Sequence, residues 1–362
     1  MSKTPRSLRW LVGGLVGFSL LAGCGSPEEQ TGTTPEASAP EAVAGEIAVN
    51  LSVGSSALSA RDDVQVTVTL TNVSRHAVRL LKWNTPVEGI DDDIFSVTRN
   101  GAAVGYIGRH YKRAAPQAED FVTLAAGESL TRTVSLAGFY DLSQSGEYTL
   151  SYAEETHQGV SQFRSNSVSL RIEGRPNVLP EPAEAEREVS AFALSTTGCT
   201  STQASSISTA FSSAKTYSAN SLSYLTNTTP GSTPRYTTWF GAYSSTNWST
   251  ARSHFSAINS AFNNQSVVVS CACTSTAYAY VYPTQPYKIY VCKAFWNAPN
   301  TGTDSKAGTL VHEMSHFNVV AATDDHAYGQ SSCKSLASSN PTRALDNADS
   351  HEYFAENTPA QN

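Results

Sequence analysis

Several absences narrow this 362-residue chain before any motif is read. It has no run of about 20 apolar residues, the length a membrane-spanning helix needs; its longest, Leu11 to Ala22, stops short. It has no basic excess: 24 Lys and Arg stand against 31 Asp and Glu, for a net charge of −7. That balance argues against a nucleic-acid partner, because binding a phosphate backbone needs a basic surface. Aromatics and large apolar groups are missing from residues 25–43, which hold only Gly, Ser, Pro, Glu, Gln, Thr, Ala and Val, so this stretch cannot build a core and reads as a tether. Cysteine is scarce, and Cys271 and Cys273 have one residue between them with no matching distal pair, which argues against a cysteine-held zinc. Acidic residues are absent between 190 and 303; all eight acids of the C-terminal part fall between Asp304 and Glu356.

What is present begins with a targeting signal. Lys3, Arg6 and Arg9 precede the short apolar run, which ends in Leu21-Ala22-Gly23-Cys24. This resembles a bacterial lipobox, and the resemblance implies that residues 1–23 are a lipoprotein signal peptide and that Cys24 becomes a lipidated N-terminus. Gly25 follows where an aspartate would imply inner-membrane retention, so an exported bacterial lipoprotein at the outer membrane or cell surface is expected. The alternative is an ordinary secretory signal with an incidental cysteine. Loss of the three basic signal residues takes the net charge to −10. In an oxidising compartment the five remaining cysteines can form two disulfides and leave one thiol. Four cysteines allow three pairings, and spacing does not choose among them.

Beyond the tether (24–43), residues 44–173 read as an all-β, immunoglobulin-like sandwich domain. Asp63 to Leu70 and Gly146 to Tyr152 alternate with period two, Val168 to Ile172 forms a further strand, and Asn100-Gly101 marks a turn. Its histidines, His76, His110 and His157, are scattered and read as surface or packing residues. Asp91-Asp92-Asp93 reads as a solvated turn in preference to a weak calcium site. Residues 174–189, rich in Pro, Glu and Ala, form a linker that could also be a processing site, with the β-domain as a pro-region. Residues 190–362 form an α+β domain: helical spacing over Ser201–Tyr224 and Ala251–Phe262, strands at 267–269, 277–282 and 288–292, and mostly helix after Gly302, including one from about Thr342 to Glu356.

The chemistry lies in Gly308-Thr309-Leu310-Val311-His312-Glu313-Met314-Ser315-His316-Phe317. His312 and His316 are four apart, so on a helix both imidazoles leave one face and can meet one metal ion. Glu313 is turned by about 100° and can reach a water there as a general base. A catalytic zinc needs a third protein ligand and an open position. Asp324, Asp325 and His326 crowd together downstream, and Glu352 and Glu356 lie on a later helix; the chemistry alone does not rank them. Tyr328 could donate a hydrogen bond to an oxyanion. Asp349 and Glu352 are three apart on one helical face and could grip one amine together, while His351 lies off that face and reads as packing.

These residues, with Arg235 to Gly241, Ala277 to Pro283, Ala294 to Pro299 and Asn347 to Asn357, closely resemble the aspzincin (deuterolysin) metallopeptidases, most of all the peptidyl-Lys metalloendopeptidase branch, over roughly 195–362. The resemblance implies a zincin-like catalytic domain holding one zinc through His312, His316 and Asp325, with Glu313 activating water and Tyr328 steadying the oxyanion. It implies that Asp349 and Glu352 select lysine, so that lysine-containing proteins or peptides are cut on the N-terminal side of that residue, and that Cys199–Cys271 and Cys273–Cys292 are disulfides, leaving Cys333 over. Ala322 stands where the family motif has glycine. Two rival readings are a broad-specificity deuterolysin-like peptidase and a catalytically inactive surface binding protein. The lipid anchor and β-domain lie outside this resemblance, and the catalytic domain could be released from the anchor.

Overall fold

The computed structural model describes residues 39–152, 163–178 and 194–361. The expected signal segment, Cys24, most of the tether and most of the 174–189 linker lie outside them.

The N-terminal region is rich in β-sheet, and period two builds it. Along Gln65–Asn72 the side chains of Val66, Val68 and Leu70 are buried. Thr67, Thr69 and Thr71 point the other way and meet the hydroxyls of Thr133, Thr131 and Ser129 at 2.8, 3.0 and 2.8 Å. This strand is central in a four-stranded sheet, between Ile47–Val53 and Ser129–Ser135, with Phe163–Ser165 beyond Ile47–Val53. A five-stranded sheet centres on Gly146–Tyr152, paired antiparallel to Val168–Ile172 and Phe95–Arg99. Val66, Val68, Leu70, Tyr148, Leu150 and Leu170 belong to one apolar cluster, so both sheets share a core.

One piece of this region does not stay in it. His110–Lys112 pairs antiparallel with Ala279–Val281, placing Tyr111 opposite Tyr280 and Lys112 opposite Ala279. The C-terminal sheet therefore has five strands, in the order Leu194–Thr197, Val267–Ser270, Lys288–Val291, Ala279–Val281 and His110–Lys112. The open edge of Ala279–Val281 is satisfied by the N-terminal region, which supplies backbone partners to an otherwise bare ladder.

The longer helices on the apolar cluster around this sheet include Ser201–Asn227, Ser245–Asn264, Lys306–His316 and Ala348–Glu356. Each of the first three starts at a hydroxyl cap: Thr200 forms a capping box with Gln203, Ser244 Oγ accepts from Asn247, and Ser305 Oγ accepts from Gly308. The helix expected from about Thr342 to Glu356 is instead two, Pro341–Leu345 and Ala348–Glu356. Asn347 breaks it. Its backbone is extended, its Oδ1 accepts from the N–H groups of His326 and Ala327, and Asp346 O accepts from Asp324 N–H. The break re-aims the last helix across the Lys306–His316 helix.

Those two helices touch almost backbone to side chain. The Glu356 carboxylate accepts from Ser305 N–H and Ser305 Oγ at 2.8 Å each, capping the positive end of the Lys306–His316 helix. A Cβ at Gly308 would lie 2.1 Å from Glu356 Oε1 and 3.0 Å from Glu352 Cγ. Gly308→Ala is therefore expected to cost about 1–3 kcal/mol, read as a fall of several degrees in Tm. An unchanged Tm would show that the helices part freely. Ala322, which closes the turn after the Lys306–His316 helix, sits at φ 51° in the left-handed region. A Cβ is disfavoured there, which accounts for a glycine in the motif that this chain resembles. Ala322→Gly should raise stability by about 0.5–1 kcal/mol, and a lowered melting temperature would refute that account.

Candidate active site

The Lys306–His316 helix is buried from Ala307 to His316. His312 Nε2 and His316 Nε2 lie 3.1 Å apart. Asp325 Oδ1 is 3.3 Å from His312 Nε2, and Asp325 Oδ2 is 3.4 Å from His316 Nε2. Ligand atoms around a tetrahedral zinc at about 2.0–2.1 Å are spaced about 3.3–3.4 Å apart. Three donors at this spacing therefore fit one zinc ion. Both Asp325 oxygens are buried without a well-formed hydrogen bond, which is what an ion would correct. Burial works against ionisation of Asp325, but the His316 and His312 imidazoles pull its carboxyl far below the ordinary range. Burial also opposes protonation of His312, yet Asp325 and Asp349 outweigh it and lift the imidazole to about 10. The cluster demands a cation, as a proton or as a metal.

The three crowded candidates downstream now separate. Asp325 meets both histidines. Asp324 turns its Oδ1 to the Asp325 N–H at 2.8 Å and to His110 Nδ1 at 3.5 Å. His326 points away, with Nε2 2.9 Å from Asp346 and Nδ1 2.9 Å from Arg343. Glu356 is occupied in capping, and Glu352 faces a different group.

The imidazoles are aimed by partners that the motif alone did not disclose. His316 Nδ1 lies 2.7 Å from Thr323 O, and the Thr323 hydroxyl meets Ser315 Oγ at 2.6 Å. His312 Nδ1 lies 2.8 Å from Asp349 Oδ1. A hydrogen bond behind the His316 ring and a close carboxylate behind the His312 ring leave both Nε2 atoms facing the ion site. Glu313 is fully buried, and its Oε1 accepts from the Lys112 N–H at 3.2 Å. Burial, aided by the Asp325 charge and opposed by His312 and Lys112, pushes its carboxyl up to about 8. Tyr328 is buried at the start of Gly329–Ser339, edge-on to Trp83, and lies within the field of Asp325.

Asp349 and Glu352 do grip one amine, and it is the chain's own. Lys112 Nζ lies 2.9 Å from Glu352 Oε2, 3.0 Å from Asp349 Oδ1 and 3.3 Å from Asp304 Oδ1. Its ammonium also faces the rings of Tyr353 and Tyr278 at 5.2 and 5.5 Å. Burial opposes the charge on Lys112, but the carboxylates hold its pKa well above the ordinary lysine value. Asp349 additionally accepts from Gly329 N–H at 2.8 Å. Asp304 and Lys112 escaped the sequence reading. The available signal was the basic run Arg109-His110-Tyr111-Lys112-Arg113, opposite in sign to the acidic stretch from Asp304.

Two readings of the N-terminal region are corrected here. His110 is no scattered packing residue: its ring lies 4.9 Å from that of His316. The Asp91-Asp92-Asp93 run is no free turn, since Asp91 pairs with Arg113 at 3.0 Å and Asp93 accepts from Tyr140 at 2.7 Å. His351 packs between Phe240 and Phe255, with Nε2 2.9 Å from His254. Cys199 is bonded to Cys271 and Cys273 to Cys292, pinning the ends of neighbouring strands, while Cys333 is a buried free thiol.

A model of the aspzincin family, described as lysine-specific metallo-endopeptidase, matches residues 224–356. An extracellular protease of Aeromonas hydrophila is 47% identical over 314 residues, covering 83% of this chain and 90% of its own length. A peptidyl-Lys metalloendopeptidase of Grifola frondosa is 37% identical over 329 residues, covering 85% of this chain and 92% of its own. A solved zinc peptidase from Grifola frondosa is 52% identical, covering 45% of this chain and 100% of its own, with a TM-score of 0.44. The curated relatives thus match well beyond the C-terminal half, so the N-terminal β-rich region, expected to lie outside the likeness, falls largely within it. With relatives of that identity over most of its length, and a His/Asp cluster spaced for zinc beside a buried glutamate, this chain belongs to the aspzincin family and is a zinc-dependent metalloendopeptidase.

Proposed function

We propose that the enzyme cleaves peptide bonds on the N-terminal side of lysine, with His312, His316 and Asp325 as zinc ligands. The observation that carries this is Lys112, whose ammonium fills an acidic pocket while its own backbone N–H meets Glu313. A lysine in that pocket has its peptide nitrogen at the residue suited to general acid–base work. The relatives named for peptidyl-Lys cleavage support the same specificity.

Bound zinc would act as a Lewis acid and make water a nucleophile near neutral pH. Glu313 takes the proton from the attacking water as the water oxygen bonds to the carbonyl carbon. It then delivers that proton to the lysine nitrogen as the C–N bond breaks, giving a product that begins with lysine. Tyr328 donates a hydrogen bond to the developing oxyanion. Asp349, Glu352 and Asp304 select the ammonium; arginine, planar and wider, fits a compact three-carboxylate pocket less well.

The zincin-like label for 190–362, the immunoglobulin-like sandwich for 44–173 and the linker between them are part of the same proposal, supported by the shared core of the two N-terminal sheets and by the helices on the C-terminal one. So is export as a bacterial lipoprotein anchored at the outer membrane or cell surface, which the Leu21-to-Cys24 pattern supports.

His312→Ala and Asp325→Asn should lose zinc on metal analysis of the full chain, whereas Glu313→Gln should retain one zinc and lose about 10²–10⁴-fold in kcat/KM. Activity surviving Glu313→Gln would remove the mechanism. For specificity, a prolonged digest of a denatured protein by the zinc-loaded full chain should yield new N-termini that are nearly all lysine. Glu352→Gln should weaken that preference by about 1.5–3 kcal/mol. Asp349 is a poorer probe, because it also contacts His312. Mixed termini from the wild-type chain would leave a broad-specificity peptidase.

A further inference from the structure

We propose that Lys112 is a tethered substrate mimic: the N-terminal region holds its ammonium in the substrate-lysine pocket, with His110 beside the metal ligands, and so restrains the enzyme. This rests on the lysine-pocket reading above and extends it to regulation.

The geometry is that of an occupied active site. His110–Lys112 lies antiparallel on the edge strand Ala279–Val281, and Tyr278 N–H donates to Lys112 O at 2.9 Å. An extended peptide adding a strand to a sheet edge is a common mode of peptide recognition. Lys112 is 1% exposed and its ammonium contacts three carboxylates, so no second lysine can enter. His110, His316 and Asp325 each present a ligand atom within 4.8 Å of the others. That reach is wider than the spacing of ligands on one zinc, so His110 stands beside the metal site, its Nδ1 3.5 Å from Asp324 and its ring 4.9 Å from that of His316.

The strand is clamped on both sides. Arg109 Nε donates to Tyr282 at 2.9 Å and its guanidinium lies 5.1 Å from the Tyr280 ring. Arg113 pairs with Asp91 and stacks on Tyr111 and Trp83 at 4.3 and 4.8 Å. The pocket itself cannot distinguish Lys112 from a substrate lysine, since both present the same ammonium. A tethered segment nevertheless has an effective concentration on the order of millimolar, comparable to or above the 1 μM–1 mM range of typical KM values. The chain's own lysine therefore wins until the strand is lifted.

The test compares the zinc-loaded full chain with Lys112→Ala and Arg109→Ala, reading the initial rate on a peptide containing one Xaa-Lys bond, the new termini by mass spectrometry, and acetylation of each lysine in the intact protein. Arg109→Ala loosens the strand while leaving the pocket untouched, and so serves where Lys112→Ala disturbs folding. The expected results are at least a tenfold rate gain in either folded variant, and acetylation of wild-type Lys112 at least tenfold slower than that of Lys82, whose side chain is 34% exposed. Unchanged rates in both folded variants, Lys112 labelled as fast as Lys82, or wild-type enzyme cutting its own Tyr111–Lys112 bond would overturn the proposal. Faster cleavage with mixed termini would uphold inhibition while removing the lysine specificity on which the pocket argument rests. Lysine-only termini with no rate gain would do the reverse.

Discussion

A cluster of buried carboxylates governs this molecule. Glu313, Asp325, Asp349 and Glu352 are all withdrawn from water within two crossing helices and the turn between them. Isolated ionised carboxylates in such a place would cost several kcal/mol each, so the fold is committed to supplying cations. One is the ion that His312, His316 and Asp325 are spaced to hold. The other is an ammonium, contributed here by Lys112. Asp349 joins the two, touching His312 Nδ1 on one side and Lys112 Nζ on the other. Metal site and lysine pocket are therefore one electrostatic unit, and filling either changes the demand on the other.

Rigid support follows from the same requirement. The pocket stays open to an ammonium only if its carboxylates cannot swing away or find other donors. Glu356 anchors the far end of the last helix on Ser305, and Gly308 lets that helix approach until Glu352 reaches the pocket. Asn347 starts the helix at the right residue by taking the N–H groups of His326 and Ala327, which also turns His326 outward and leaves Asp325 facing in. The Ser315–Thr323 contact ties the same turn to the histidine helix. Each of these residues stands outside the four-carboxylate cluster, yet each fixes a charge within it.

Local pattern carried much of this in the sequence. The i, i+4 histidines, the adjacent glutamate and the i, i+3 acidic pair are helical-face statements, and 3.6 residues per turn makes them legible without a structure. The period-two strands of the N-terminal region were legible for the same reason. Choosing Asp325 over Asp324 or His326 came only through the family resemblance, because side-chain direction in a turn depends on Asn347, some twenty residues later. The single helix drawn through Thr342–Glu356 failed at that residue too: helical periodicity continues across it while tertiary hydrogen bonds interrupt the backbone. His110 and Lys112 were marked only by their basic run, because strand pairing across 170 residues leaves no periodic trace, and three residues are too few to announce a strand.

Charge arrangement is the remaining link between sequence and regulation. An acidic site that must bind an ammonium is unstable when empty, so a nascent chain gains by supplying its own lysine. Arg109 to Arg113 does this with one charge inside the pocket and two outside, each outer arginine seated on aromatic rings of the surrounding surface. The contact that satisfies the pocket during folding is also the contact that a substrate must replace. Stability of the folded chain and restraint of its activity then draw on the same lysine, and neither can be tuned without the other.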